Sequence, residues 1–183
     1  GILLHFVLNE AESANKNELD NAQLGTERKL FYRELIARFG YHNATTWNIS
    51  EEYNLNLNLG ADRVIEFARY FSDVDPYGNP VTVHNAGNPF NPLSGPWAPF
   101  IGQGDFDLTS LQRAGRADGW GDVVADYRTE SAAAGRPLAV MIDEPGSPTR
   151  DVANFDDFRK RLIWDILLSG GGAEWFIHNR DQS

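Results

Sequence analysis

The sequence predicts an α/β fold organised on a parallel sheet. Three observations carry this. Strand-like and helix-like runs alternate along the chain. The strand-like runs are close to continuously apolar, as parallel strands covered on both faces are. Two of these runs, Thr46–Glu52 and Leu138–Glu144, stop in carboxylates. Charge at the tip of a buried strand is costly unless the site uses it. At 183 residues a single domain spanning 1–183 is expected.

Ile2–Leu8 is the first strand. Glu27–Phe39 follows as a helix, with Leu30, Phe31, Leu35, Ile36 and Phe39 at helical spacing and Gly40 as its stop. Asn43–Ile49 is the second strand. Ala61–Phe71 is the second helix, with Val64, Ile65, Phe67, Ala68 and Phe71 apolar. Asp75-Pro76-Tyr77-Gly78-Asn79-Pro80 is a turn, and Val81–His84 the third strand. Asn85 to Asp105 is rich in Gly, Pro and Asn and reads as a long loop, a kind of segment that is usually functional or disordered. Phe106–Gln112 is a strand, Gly121–Ala134 a helix, Pro137–Ile142 a strand and Phe155–Leu168 a long amphipathic helix. Gly170-Gly171-Gly172 ends that helix, and Ala173–His178 is the sixth strand.

Alternation of this kind implies right-handed crossovers between parallel strands. A doubly wound sheet would suit the length, but no glycine-rich phosphate loop follows an early strand. The remaining expectation is a parallel (β/α) sheet of the TIM-barrel type. Such a barrel has eight strands and about 250 residues. About six β/α units are visible, so the expected picture is a barrel lacking its first two units and its last helix. Open edges on such a sheet invite self-association.

Composition removes several chemistries. Cysteine is absent, which excludes disulfides, thiolate metal sites and cysteine nucleophiles. A net charge of -10 argues against a nucleic-acid partner, which needs a basic face. No apolar run approaches the roughly 18 residues of a membrane span, so no membrane partner is expected. The first residues lack a basic segment and end in Asn9-Glu10, reading as a core strand rather than a signal peptide.

Two strand-end carboxylates on the C-terminal face of a barrel suggest glycoside hydrolysis, which uses one acid/base and one nucleophile. The run Trp47-Asn48-Ile49-Ser50-Glu51-Glu52 resembles the fourth-strand signature of clan A glycoside hydrolases, where Trp is followed four and five places later by Asn-Glu. The stretches Leu8–Glu12, Glu27–Phe39 and Asp73–Tyr77 are similar to those of bacterial secreted glycoside hydrolases of unknown specificity, and the resemblance covers nearly the whole chain. It implies that Glu52 is the acid/base and that Glu144 stands where the clan carries its nucleophile, at the end of strand seven. It also implies an oligo- or polysaccharide substrate, no cofactor, and a secreted or periplasmic location. One position departs from the pattern: Glu51 stands where the clan has Asn. A carboxylate accepts but does not donate the hydrogen bond that an amide gives a sugar hydroxyl. It also puts a second charge beside Glu52, which raises a neighbouring carboxyl's pKa and leaves open which of the two is the acid.

Retaining hydrolysis requires carboxyl groups about 5–5.5 Å apart. Further candidates for sugar contacts are Glu10, Asn48, His84, Gln112 and Trp175, at or near strand ends. Glu12 ends the first strand region with Glu10. Asp143 is expected to support Glu144 or cap a helix, and Arg150 to lower a nearby carboxyl pKa. Trp97 and Trp120 are expected in loops, as cleft walls or surface plugs. A metal site built from Glu10, Glu12, His84, Asp143 and Glu144 is the chemical alternative, but no known ligand spacing supports it. The alternative from another class is a non-catalytic carbohydrate-binding or structural barrel, since function lives in the site and not in the fold.

Overall fold

The computed structural model describes residues 2–87, 91–112, 119–145, 156 and 159–174. Among them, six strands form two three-stranded parallel sheets, in two compact units. One unit comprises Gly1–Ala86 with Gln103–Asp107, the other Gly87–Gly102 with Leu108–Ser183.

The first unit runs β1 (Leu4–Val7), α1 (Ser13–Glu18), α2 (Thr26–Phe39), β2 (Thr45–Asn48), α3 (Ala61–Val74) and β3 (Val81–Thr82). The strands pair in the order β1-β2-β3, with Leu4 opposite Thr45 and Asn48 opposite Thr82. The strands are shorter than the apolar runs suggest, yet ladder hydrogen bonds continue past their ends. Leu8 N–H donates to Asn48 O (2.9 Å), Ile49 N–H to Thr82 O (2.9 Å) and His84 N–H to Ser50 O (3.0 Å). Backbone pairing therefore carries the chain in register up to the polar residues beyond each strand.

The face that α3 buries is the expected one: Val64, Phe67, Ala68 and Phe71. The face of α2 is not. Leu30 and Phe31 are exposed, and the buried stripe is Arg28, Tyr32 and Ile36, at i, i+4 spacing. Helix α2 therefore buries an arginine and a tyrosine, which a count of apolar residues passes over, and the Tyr32 ring lies 4.6 Å from that of Phe71 on α3. Trp47, on β2, is fully buried between Phe6 and Phe71, with ring centroids 5.2 and 5.4 Å away. Its indole N–H donates to Asp75 Oδ2 (2.9 Å). The same carboxylate accepts from Tyr77 N–H and from the backbone and side-chain N–H groups of Asn79. The expected turn after α3 is thus built around one carboxylate that also fixes the core tryptophan. Asp107 closes β3, its Oδ2 accepting from Val81 N–H (3.0 Å) and its N–H donating to Val81 O (3.1 Å).

The second unit runs β4 (Leu111–Gln112), α4 (Trp120–Ala133), β5 (Met141–Glu144), a π-helical turn at Arg159–Ile163 leading into α5 (Trp164–Leu168), and β6 (Gly172–Ala173). The strands pair in the order β4-β5-β6, all parallel. The expected strand at Phe106–Gln112 is reduced to β4 and an isolated parallel bridge, Leu108 with Ala139, joined by Thr109 N–H to Ala139 O (2.9 Å). The fifth strand lies further along than expected, so Asp143 and Glu144 are its last two residues instead of following its tip. Gly171 and Gly172 have a packing reason. A Cβ on Gly171 would stand 2.8 Å from Val124 Cγ2, and one on Gly172 would overlap the Met141 sulfur. The close approach lets β6 lie against β5 directly after α5.

Trp97 and Trp120 are not cleft walls or surface plugs: both are fully buried. Trp120 opens α4, and Trp97 precedes a short 3-10 turn, Ala98–Phe100, meeting Phe100 edge-on at 5.3 Å. The described part of the long loop is therefore packed around aromatic side chains. The remainder of the expected sixth strand, past Glu174, lies outside the described residues.

Candidate active site

In the first unit, β1, β2 and β3 are parallel, so the residues just past their C-terminal ends gather on one edge. Glu10 follows β1, Asn48 ends β2, Glu51 and Glu52 lie just beyond it, and His84 follows β3. Glu10 is exposed, Glu51 and Glu52 half-buried, and Asn48 and His84 buried. Asn48 Oδ1 accepts from the backbone N–H groups of Ser50 (3.3 Å) and His84 (3.2 Å), which ties the exits of β2 and β3 together.

The carboxylate loop, residues 51–59, is held from both sides. Glu51 N–H donates to Asn9 O (2.8 Å) beyond β1, and Tyr53 N–H to His84 O (3.0 Å) beyond β3. Asn54 makes a reciprocal pair with Ala86, Nδ2 to O at 2.9 Å and Ala86 N–H to Oδ1 at 2.7 Å. Asn56 Nδ2 donates to Ala11 O (3.0 Å). Glu52 and Asn56 have φ of 36° and 55°. Left-handed backbone costs a non-glycine residue roughly 1 kcal/mol and persists only where its surroundings over-determine it. Here the surroundings do.

Three residues that sequence reasoning did not single out build this support. Asn9 is buried, donates from Nδ2 to Ile49 O (2.7 Å) and accepts at Oδ1 from Arg28 Nη1 (2.9 Å). Arg28, fully buried on α2, also donates to Tyr32 Oη (3.3 Å), Lys16 O (3.1 Å), Leu19 O (3.0 Å) and Gln23 O (3.1 Å). Its guanidinium lies 4.9 Å from the Phe67 ring centroid. Lys16, buried on α1, donates from Nζ to Glu52 O (2.7 Å) and Leu55 O (2.8 Å). Burial pushes the Lys16 ammonium below the usual lysine range, while the carboxylates of Glu52, Glu51 and Glu12 oppose that shift. Burial also raises the Tyr32 phenol, against the Arg28 cation beside it, and raises that of Tyr53. Asn9 carries the signal that marked Glu10, a polar residue at a strand end. Arg28 and Lys16 carry none, because charged residues on helices are usually solvated.

In the second unit the ends of β4 and β5 bring Gln112 and Glu144 together. Gln112 Nε2 donates to Glu144 Oε2 (2.7 Å) across a register shift between Leu111 and Gln112. Just before this pair, the Ser110 hydroxyl donates to Asp143 Oδ2. Asp143 is thus held by the residue just before β4. Trp175 and Arg150 lie outside the described residues. Among the described residues no three His, Cys, Asp or Glu side chains are grouped so as to hold a metal ion, and no helix is long and apolar enough to cross a membrane.

No protein-family profile matches this chain, and no curated protein matches it in sequence. Solved structures do match. One is described as a "putative glycoside hydrolase" from Bacteroides vulgatus, with a TM-score of 0.63 and 17% identity, covering 95% of this chain and 32% of that one. The fold is shared with glycoside hydrolases. A β-glucuronidase of Bifidobacterium dentium, solved with coumarin-3-O-glucuronide, matches over 85% of this chain and 28% of its own, at 15% identity and a TM-score of 0.50. The chain therefore spans about a third of each of these solved chains.

Proposed function

We propose that this chain serves retaining hydrolysis of an oligo- or polysaccharide on a parallel (β/α)-barrel scaffold, with Glu52 as acid/base and Glu144 as nucleophile. The observation that carries the reading is Glu144 itself: a glutamate at the last position of a parallel strand, held by the amide of Gln112 at the last position of the next. A carboxylate oriented in this way suits attack on an anomeric carbon. The glycoside hydrolase fold of the matched structures supports the same reading.

In the first step a Glu144 oxygen bonds to the anomeric carbon as the bond to the leaving oxygen breaks, and Glu52 gives its proton to that oxygen. In the second, Glu52 takes a proton from water, the water oxygen bonds to the anomeric carbon, and Glu144 is released. Glu51 is an adjacent acid whose backbone, held by Asn9, fixes where the pair emerges. Glu10, Asn48 and His84 of the first unit and Gln112 of the second are proposed to bind sugar hydroxyls, and Trp175, outside the described residues, is proposed to bind substrate as well. Asn48 also holds the backbone N–H groups of Ser50 and His84 through its Oδ1. A polymeric substrate would put the protein outside the cytoplasm.

The test is the pair Glu144→Gln and Glu52→Gln in the protein that carries this chain, assayed on an activated aryl glycoside. The Glu144 variant loses cleavage. The Glu52 variant retains the first step and responds to azide, which replaces water without needing a base. If Glu51→Gln behaves in that way and Glu52→Gln does not, the acid is Glu51. If neither Glu52→Gln nor Glu144→Gln affects cleavage, the reading is wrong.

A further inference from the structure

We propose that Lys16 is the positioning residue of the carboxylate loop: its buried ammonium, bound to the carbonyls of Glu52 and Leu55, fixes the direction in which the Glu52 carboxyl leaves the backbone. The inference rests on the reading of Glu52 as the acid/base. Three features of the loop point to it. Glu52 is a non-glycine residue in left-handed backbone, so an external restraint is needed to keep it there. Its carbonyl already receives Leu55 N–H (2.9 Å), and the Lys16 Nζ–H bonds at 2.7 and 2.8 Å lock the two ends of that turn to α1. Lys16 is itself held from behind, its carbonyl bound by Arg28. A chain of contacts thus runs from the core face of α2 through α1 to the backbone of Glu52.

A cation in this place has a second consequence. Its charge lies near Glu12 from the turn before α1 and near Glu51 and Glu52 from the loop itself, with the Arg28 guanidinium beyond its carbonyl and His84 across Tyr53. An ordinary buried lysine would be relieved by replacement with an apolar residue of equal length. This one cannot be, because its removal would take the Lys16 donor from Leu55 O and leave Glu52 O with the Leu55 N–H alone.

The experiment compares Lys16→Met, Lys16→Arg and Glu52→Gln. The first readout is the ratio of kcat/KM on a 2,4-dinitrophenyl glycoside to that on an alkyl glycoside, whose leaving oxygen needs a proton. Loss of a working acid affects only the second substrate, by roughly 10²–10⁴-fold. Lys16→Met is expected to raise the ratio at least about tenfold toward the Glu52→Gln value, and Lys16→Arg, which keeps the donors and charge, to stay near wild type. The second readout is amide hydrogen exchange. In Lys16→Met the Leu55 amide exchanges faster, while the Ile49 amide, inside the ladder, keeps its protection. Equal losses on both substrates, or unchanged exchange at Leu55, overturn the proposal. If Lys16→Met does not fold, Lys16→Gln, which lacks the charge, is measured with the same expectation. Should Glu52→Gln leave the ratio at its wild-type value, the acid assignment falls, and the exchange readout still decides whether Lys16 holds the loop.

Discussion

Gln112 gives its side-chain amide to Glu144, Nε2 to Oε2 at 2.7 Å, across the register shift between β4 and β5. The irregularity has a use. In an unshifted parallel pair a residue faces its neighbour's side chain at a fixed offset, and a bulge re-aims one of the two. Here the last residues of adjacent strands meet through their side chains.

Gln112→Leu removes the donor at nearly constant volume. If Glu144 is the nucleophile, kcat/KM should fall about tenfold or more, because an unrestrained carboxylate loses its near-attack geometry. Thermal unfolding should move little, since the bond is only partly buried and a hydrogen bond contributes about 1 kcal/mol net. Steady-state kinetics alongside a melting curve separate the two. An unchanged kcat/KM would remove Gln112 from the site.

Arg28 is where stability is concentrated. Its Nε, Nη1 and Nη2 all donate, to Asn9, Tyr32 and three backbone carbonyls, from a fully buried position. Arg28→Ala is expected to lower unfolding free energy by about 3 kcal/mol or more, since it orphans several buried acceptors together. Arg28→Lys should recover little of this, because an ammonium cannot reproduce the planar fork. Chemical denaturation measures both variants; full recovery by lysine would mean that charge matters and geometry does not.

Alkaline stability depends on the buried phenols. Tyr32 and Tyr53 both have pKa values raised above the ordinary 10.0 by burial. The folded state then holds protons that the unfolded state loses, so their contribution is fully present below about pH 10 and declines as pH rises through the folded values. Lys16 has the opposite sign: its pKa is lowered from 10.5, so its own contribution improves as pH rises toward that value and is constant beyond it. Denaturation curves should therefore show unfolding free energy falling above about pH 10.5, with a shallower fall in Tyr32→Phe. An identical slope in that variant would assign the alkaline loss elsewhere.

Much of this arrangement was legible in the sequence, and the exceptions share a cause. The alternating pattern locates the parallel strands, though not their division among the described residues into two three-stranded sheets, and Val64, Phe67, Ala68 and Phe71 identify the buried face of α3 because that face is purely apolar. On α2 the same reasoning selects Leu30 and Phe31, which are exposed, and passes over Arg28 and Tyr32. A polar residue is buried only when its partners are in place, and those of Arg28 come from Asn9, Lys16, Leu19 and Gln23, none of which helical periodicity can bring together. The strand-end signal located Glu144 and Gln112 but not their mutual hydrogen bond, which depends on the bulge. Trp47, quoted in a catalytic motif, is a core residue pinned by Asp75. Lys16 has no periodic signature, because Ser13–Glu18 is polar almost throughout.

The central claim is that Glu144 forms a covalent bond to the sugar, and trapping tests it most directly. A 2-deoxy-2-fluoro glycoside with a dinitrophenyl leaving group slows both steps but lets the first accumulate. Peptide mapping by mass spectrometry after incubation should find the fluoroglycosyl group on Glu144, with none in the Glu144→Gln variant. A label on another residue, or cleavage with inverted anomeric configuration and no label, would contradict the account.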